Sequence, residues 1–339
     1  MIQIPLIDIR KGSSVDLVKL HTQKAIELIE ASKNTFGFIS KFAALIALPI
    51  GDKISRNWLQ KTQNPYLSEI DEYANILGIK GIYALNMSYE WGCTTGVYAN
   101  KSNSMLVRVL DWPFPSLGEN VVVAIQSGNA GDFYNVTWPG VSGVFQATAP
   151  NRFSAALNQA PMRRHKTGVV IDWIRNRYIV NKQCGLPPAH LLRKVFETAK
   201  NYQEAKEMLT NEPVSIPVIY TLSGLSQEEG CVIERLEDRA VVRKINKAKV
   251  SAANHFESGF NGIGRGWLPR AIDSYGRSLA ANSMQYKDFD DNFNWLKPPI
   301  ASSVCRVVMQ ADSSLGKLSV IGMSGVNKVT EVFSLTHKQ

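Results

Sequence analysis

Tyr89-Glu90-Trp91-Gly92-Cys93-Thr94-Thr95-Gly96-Val97-Tyr98 runs, after the polar link Asn100-Lys101-Ser102-Asn103-Ser104, into Met105-Leu106-Val107-Arg108-Val109-Leu110-Asp111-Trp112-Pro113. The first run is β-branched and aromatic, the second alternates around valine, and the link has turn composition, so the stretch reads as a β-hairpin. A hairpin returns Arg108 and Asp111 towards the start of its first strand, bringing a thiol, a guanidinium and a carboxylate into one neighbourhood. A cationic neighbour favours the thiolate, the nucleophilic form of cysteine. The motif supplies no histidine as a base. If the Gly92–Cys93 bond were cut, the new α-amine of Cys93, with an ordinary pKa of roughly 7.7–8.0, would serve instead. Gly92, lacking Cβ, leaves room for attack on its carbonyl. Read from these residues alone, Cys93 as a small buried apolar residue of a strand, which is what most free cysteines are, is the commoner alternative.

Working outward, 339 residues suffice for one large or two ordinary domains. Hydrophobic residues at 45% and charged residues at 20% describe a globular chain, and no apolar run approaches the eighteen or so residues that span a bilayer. The start, Met1 to Lys11, mixes acid and base into its apolar residues and lacks a secretory layout, so a cytoplasmic location is expected. Cysteines at 93, 184, 231 and 305 are few and widely spaced, which indicates neither a disulfide framework nor a zinc site. The net charge of +9 concentrates at Met162 to Lys166 and Arg235 to Lys249. Neither run interleaves aromatics as a nucleic-acid platform does, so both read as solvated faces.

Residues 13–90 read mainly as helix: Leu17, Leu20, Ala25, Leu28 and Ile29 recur at helical spacing, as do Ile70, Tyr73, Ala74, Leu77 and Ile82. Stripes of this kind need a partner surface, so the piece released by cutting at Cys93 is expected to remain attached. From Cys93 to about Pro161 short β-rich runs follow one another: 120–125, 133–138, 143–147 and 153–158. Helices return from Gly168 to Leu209, with an amphipathic stripe from Leu191 to Leu209 started by Pro187-Pro188. Strands resume at Val218 to Leu222, then 230–235 and 240–245 as a hairpin turning at Glu237-Asp238, then 250–256. The glycines between Gly259 and Gly266 have no phosphate-loop spacing and read as a loop. Asp273 is a good N-cap for a helix, and 304–309 with 317–323 are closing strands. Such alternating blocks suggest two antiparallel sheets packed together with helices outside. No G-x-S-x-G elbow or H-E-x-x-H is present, and five histidines are scattered at 21, 165, 190, 255 and 337.

The Gly-Cys-Thr-Thr start, the Arg108-x-x-Asp111 whose aspartate lies eighteen residues past the cysteine, and the Tyr89-Glu90 before Gly92 resemble the N-terminal-nucleophile amide hydrolases. That group includes acid ceramidase, N-acylethanolamine acid amidase, choloylglycine hydrolase and the isopenicillin N acyltransferases. Trp138-Pro139-Gly140 through Ala156-Leu157-Asn158-Gln159 resembles a second signature. Asn158 matches the asparagine of the choloylglycine hydrolases, and Gln159 falls where acid ceramidase relatives carry glutamate. Val250 to Phe256 resembles the Thr-Asn-His/Tyr signature, which points to Asn254 rather than to the adjacent His255. Asp273-Ser274-x-x-Arg277 resembles the family's Asp-Ser-x-x-Arg element. The likeness extends from about residue 65 to 280.

It implies an α+β fold, a four-layer αββα sandwich of two antiparallel sheets, with residues 1–92 a mainly helical pro-segment and 93–339 the catalytic domain. It also implies a self-processing cysteine amidase acting on a linear amide: an N-acyl amide, or a bile-salt-like or penicillin-V-like substrate, with an apolar acyl chain. Cys93 is then the nucleophile, Arg108 orients the thiolate or leaving group, Asp111 holds the freed ammonium, Asn254 and Asn158 steady the oxyanion and Arg277 joins the network. An acyltransferase of the isopenicillin N type and a non-catalytic binding protein keeping the fold are the alternatives. No cofactor, metal, nucleic-acid partner or stable membrane insertion is expected, and a homo-oligomer is compatible with the sequence. Loop shape, which the sequence does not specify, selects the acyl group and the amine.

Overall fold

The computed structural model describes residues 1–34, 37–87, 92–165, 167–257, 260 and 266–337. Tyr89, Glu90 and Lys166 lie outside the described residues, as does most of the Gly259–Gly266 loop.

The β-rich runs become strands β1 (Leu6–Asp8), β2 (Gly92–Ala99), β3 (Ser104–Asp111), β4 (Val122–Gly128), β5 (Gly131–Thr137), β6 (Gln146–Ala149), β7 (Phe153–Gln159), β8 (Met162–Arg163), β9 (Val218–Ser223), β10 (Gly230–Arg235), β11 (Ala240–Lys244), β12 (Lys249–Ala252), β13 (Trp267–Leu268), β14 (Cys305–Asp312), β15 (Lys317–Ser324), β16 (Asn327–Lys328) and β17 (Phe333–Thr336). One sheet has eight strands in the order β1-β4-β5-β6-β7-β9-β10-β11, and the other runs β12-β2-β3-β14-β15-β16 with β17 also on β15. Pairing within both is antiparallel except where β1 joins β4 in parallel. The hairpin forms as its sequence predicts, Cys93 facing Leu110 and Gly92 facing Asp111 across the ladder.

Ten helices are described: α1 (Ser14–Leu20), α2 (Thr22–Asn34), α3 (Gly37–Lys61), α4 (Leu67–Leu77), α5 (Ile82–Asn86), α6 (Leu117–Asn120), α7 (Val169–Lys182), α8 (Pro188–Thr198), α9 (Tyr202–Asn211) and α10 (Ser274–Ser283). The two sheets pack face to face, β2 and β3 against β7 and β9; α8 and α9 lie on the eight-stranded sheet, and α10 covers β2 and β12. The result is the expected four-layer αββα sandwich. The stripe from Leu191 to Leu209 belongs to two helices, because the Asn201 side chain accepts the Glu204 N–H and starts α9 afresh.

A strand sandwiched between a sheet and a helix layer can expose neither face, and β2, β3 and β14 are buried along their whole lengths. Side chains alternate between the two faces. On β2 the odd residues look into the gap between the sheets, where the Thr95 and Thr221 hydroxyls share a 2.6 Å hydrogen bond. The even ones look at α10, where the Tyr98 hydroxyl donates to the Ala281 carbonyl at 2.9 Å.

The segment before Cys93 is helical from Ser14, as its stripes predict, and its buried Leu28, Ile29, Ile70, Tyr73 and Ile82 join the same apolar core as Leu106, Val136 and Phe153. Its polar ties are equally close. Arg193 on α8 pairs with Glu69 at 2.7 Å, and Asn86 donates to the Gly140 carbonyl and accepts the Ser142 N–H. The first nine residues, to which the sequence assigned no element, hold β1 against β4 at the border of the eight-stranded sheet.

Candidate active site

Cys93 lies on the inter-sheet face of β2, with no exposed surface. Its thiol points at the Leu157 carbonyl of β7, 3.8 Å away. Arg108, opposite Thr95 on β3, occupies the same face and is also fully buried. Its Nη2 donates to Cys93 Sγ at 2.9 Å and its Nη1 to the Phe145 carbonyl at 2.7 Å, while Nε has no hydrogen-bond partner. Burial pushes the Cys93 thiol above its ordinary value, and Arg108 is the largest influence opposing that rise. Burial thus favours the neutral thiol, while the guanidinium in contact with the sulfur would favour a thiolate.

Asp111 is three residues beyond Arg108, so strand alternation puts it on the opposite face, towards α10. The shared neighbourhood expected from the hairpin is thus divided by the sheet: guanidinium with sulfur on one side, carboxylate on the other. Asp111 Oδ1 accepts the Ser302 hydroxyl at 2.8 Å, and its Oδ2 is 3.5 Å from Arg277 Nη1. Burial pushes this carboxyl up, against Arg277 first and then the Ser302 hydrogen bond, Arg108 and Arg306. Arg277, on α10 and 1% exposed, reaches through to β2. Nη1 donates to the Cys93 carbonyl and to Thr94 Oγ1, Nη2 donates to Asn254 Oδ1, and Nε is anchored on the Ile272 carbonyl.

Asn254 follows β12 and meets the backbone of Cys93. Its Oδ1 accepts the Cys93 N–H at 2.8 Å, and its Nδ2 donates to the Gln159 carbonyl at 2.8 Å. It thus presents an acceptor to the nitrogen that cutting would free, where the sequence reading expected an oxyanion donor. Asn158 departs further from that expectation. Its Nδ2 is taken up by Thr95 Oγ1 and the carbonyls of Ala252 and Ala253, fastening β7 to the end of β12, and its Oδ1 is buried with no partner. Donation from Asn158 to a developing oxyanion would cost those bonds.

Gly92 is fixed by crowding: a Cβ there would stand 2.4 Å from the Ala271 Cβ and 3.2 Å from the Asp111 Cβ. A cleft of about 70 Å³ opens at Gln159, two residues beyond the carbonyl that the thiol faces, and is walled by Ala160, Met162, Trp173, Val180 and Arg270. That volume holds water rather than an acyl chain. Two residues of this arrangement carried no functional signal in the sequence, Ser302 and Phe145, whose carbonyl accepts from Arg108, because both enter through long-range pairing.

No protein-family model matches the chain. Among curated proteins it is 26% identical over 213 residues to the N-acylethanolamine-hydrolyzing acid amidase of Rattus norvegicus, an alignment covering 57% of this chain and 56% of that protein. It is 25% identical over 220 residues to the acid ceramidase of Mus musculus, covering 65% of this chain and 52% of that protein. The chain spans about half the length of the curated relatives it matches. A Caenorhabditis elegans ortholog of the N-acylethanolamine-hydrolyzing acid amidase superposes with a TM-score of 0.52 at 19% identity, covering 66% of this chain and 94% of that one. The chain has the four-layer fold of the N-terminal-nucleophile hydrolases. Within that fold, Cys93 is the second residue of an inner strand facing the second sheet, and Arg108, Asp111, Asn254 and Arg277 are drawn to it from two elements, β3 and α10, and one loop. Among the described residues no helix is long and apolar enough to cross a membrane.

Proposed function

We propose that this chain is a self-processing cysteine amidase that hydrolyses a linear carbon–nitrogen amide through an acyl-enzyme. The observation that carries the reading is the pair of contacts at Cys93: a buried arginine 2.9 Å from the sulfur, and a side-chain acceptor 2.8 Å from the backbone nitrogen. A merely structural strand cysteine requires neither, and a buried guanidinium with an unpartnered Nε is costly to keep for packing alone.

In the processing step, Sγ attacks the Gly92 carbonyl carbon, the C–N bond to Cys93 breaks, and the thiol proton goes to the departing nitrogen. Water then hydrolyses the Gly92 thioester, leaving a carboxylate on residues 1–92 and an α-amine on 93–339. That amine takes the thiol proton in the next round and returns it to the leaving amine of the substrate, and water releases the acid. Arg108 favours the thiolate, Asn254 orients the nitrogen, and Arg277 fixes Asn254 and the Cys93 carbonyl while balancing Asp111. With the Asn158 amide engaged elsewhere, we leave it out of the oxyanion hole. The substrate is a small amide with an apolar acyl chain. All four cysteines are free, which fits a reducing cytoplasmic setting.

N-terminal sequencing with intact mass tests the proposal. The 37.6 kDa chain should divide in proportion to 92 and 247 of its 339 residues, into pieces of about 10 and 27 kDa, the larger beginning at Cys93. Cys93→Ala should stay whole. Amide turnover by protein with an intact Gly92–Cys93 bond would refute the mechanism.

A further inference from the structure

Asn254 does not hold its position alone. Its backbone N–H donates to Ser274 Oγ at 2.9 Å, and the same oxygen is 2.8 Å from His255 Nδ1. We infer that Ser274 and His255 form a positioning pair, the hydroxyl bridging the Asn254 amide and the imidazole so that Asn254 Oδ1 stays on the Cys93 nitrogen. This rests on the amidase reading for its effect on rate and on geometry alone for its effect on Asn254.

The hydrogen-bond count gives the pair a direction. A serine hydroxyl has one proton. The Ser274 oxygen accepts from Asn254, and placing its single proton on His255 Nδ1 gives a neutral ring with its own proton on Nε2. Nε2 faces Glu257 at 3.9 Å, and the ring lies against Tyr275, tilted by 37° with centroids 4.2 Å apart. Glu257 is in turn held by the Ser278 hydroxyl and by Arg243, 3.2 Å away, while Arg243 also pairs with the fully buried Glu234. The charged groups facing the imidazole are therefore Glu257, Arg243 from β11 and Arg277 from α10. Burial pulls His255 below the ordinary imidazole range, with Glu257 opposing and the two arginines reinforcing.

The segment carrying Ser274 is under conformational tension. Ala271 and Asp273, neither of them glycine, take φ of 60° and 44° immediately before α10. They are fastened by the Arg270 N–H on the Asn254 carbonyl and by the Asp273 carboxylate on the Gly276 N–H. Asn254 is thus gripped at its N–H by Ser274, at its carbonyl by Arg270 and at Oδ1 by Arg277. Protonating His255 would place a donor on Nδ1, so the Ser274 oxygen would receive two donors while its own proton lost its acceptor. The grip on the Asn254 N–H would weaken as pH falls.

Full-length wild type, Ser274→Ala, Ser274→Thr and His255→Gln should be compared for cutting and amide turnover across pH, and for hydrogen exchange in the peptide containing Asn254. Ser274→Ala should slow both reactions by at least about tenfold, the scale of a misplaced reacting group, with Ser274→Thr keeping most of the rate. His255→Gln should remove the acidic limb of the rate profile, which a purely structural histidine would leave in place. Should Ser274→Ala fail to fold, the profile of His255→Gln decides. A wild type that neither cuts nor turns over amides would sink the amidase reading but not the pair. In that case, faster exchange at Asn254 in Ser274→Ala but not in Ser274→Thr supports it. Exchange that Ser274→Ala leaves at the wild-type level overturns the pair, and so do wild-type rates in Ser274→Ala or an unchanged acidic limb in His255→Gln.

Discussion

Replacing Arg108 by methionine separates chemistry from packing more cleanly than truncation would. Methionine fills much of the same buried length without opening a large cavity. It removes the 2.9 Å donor on Cys93 Sγ and the 2.7 Å donor on the Phe145 carbonyl. A hydrogen bond involving a charged group contributes about 1.5–3 kcal/mol. If the bond to sulfur strengthens as the thiolate forms, its loss slows the chemical step by roughly 10–150-fold at 1.36 kcal/mol per decade. The Phe145 carbonyl keeps the Leu157 N–H at 3.0 Å, so losing its second donor costs only about 0.5–1.5 kcal/mol of stability, partly offset because the buried, incompletely bonded guanidinium is gone. The assay is the conversion of freshly made 37.6 kDa chain to two bands on a gel, with a melting curve alongside. Loss of Arg108 also removes the main influence holding the Cys93 thiol down, so the rate should rise only at more alkaline pH than in wild type. Wild-type cutting in a variant that melts tens of degrees lower would make Arg108 a structural ion and refute the reasoning.

Gly92→Ala should block cutting, since the new Cβ would stand 2.4 Å from that of Ala271, and the double variant with Ala271→Gly should recover part of the rate; no recovery would mean that crowding is not the reason for glycine. His190 is fully buried between the Asn64 amide and the Ser142 hydroxyl, which holds its pKa down to about 3. Its unfolded form protonates below about 6.5 while the folded form does not, so stability should fall by up to about 1.4 kcal/mol per unit as pH drops from 6.5 towards 3. Denaturant titrations of wild type and His190→Gln will check this: the variant should show a flatter acid dependence, and identical slopes would remove His190 as the cause.

How much of this was legible in the sequence depends on the range of the interaction. The β2–β3 hairpin and the helices from Ser14 to Asn86 followed from periodicity, and Asp273 capped α10 as its residue type suggested. Strand alternation also contained a fact that proximity along the hairpin obscured: residues 108 and 111 differ by an odd number, so their side chains take opposite faces. The spending of the Asn158 amide on Ala252 and Ala253, the arrival of Ser302 at Asp111, and the hold of Ser274 on Asn254 depend on how distant strands come together. No local pattern encodes those distances. The pairing of β1 with β4 was invisible for the same reason, three residues being too few for a period.

That pairing bears on what holds the molecule in one piece. Besides β1 on β4, Ile2 exchanges backbone hydrogen bonds with Val329 and Glu331 beside the second sheet, so the first nine residues clasp the borders of both sheets. If cutting at Gly92 were followed by departure of residues 1–92, β4 would present a bare row of N–H and C=O groups, the template on which strands of other molecules add. The clasp therefore protects against polymerisation, and a preparation stripped of its small piece should grow fibres or aggregates before it loses its helices.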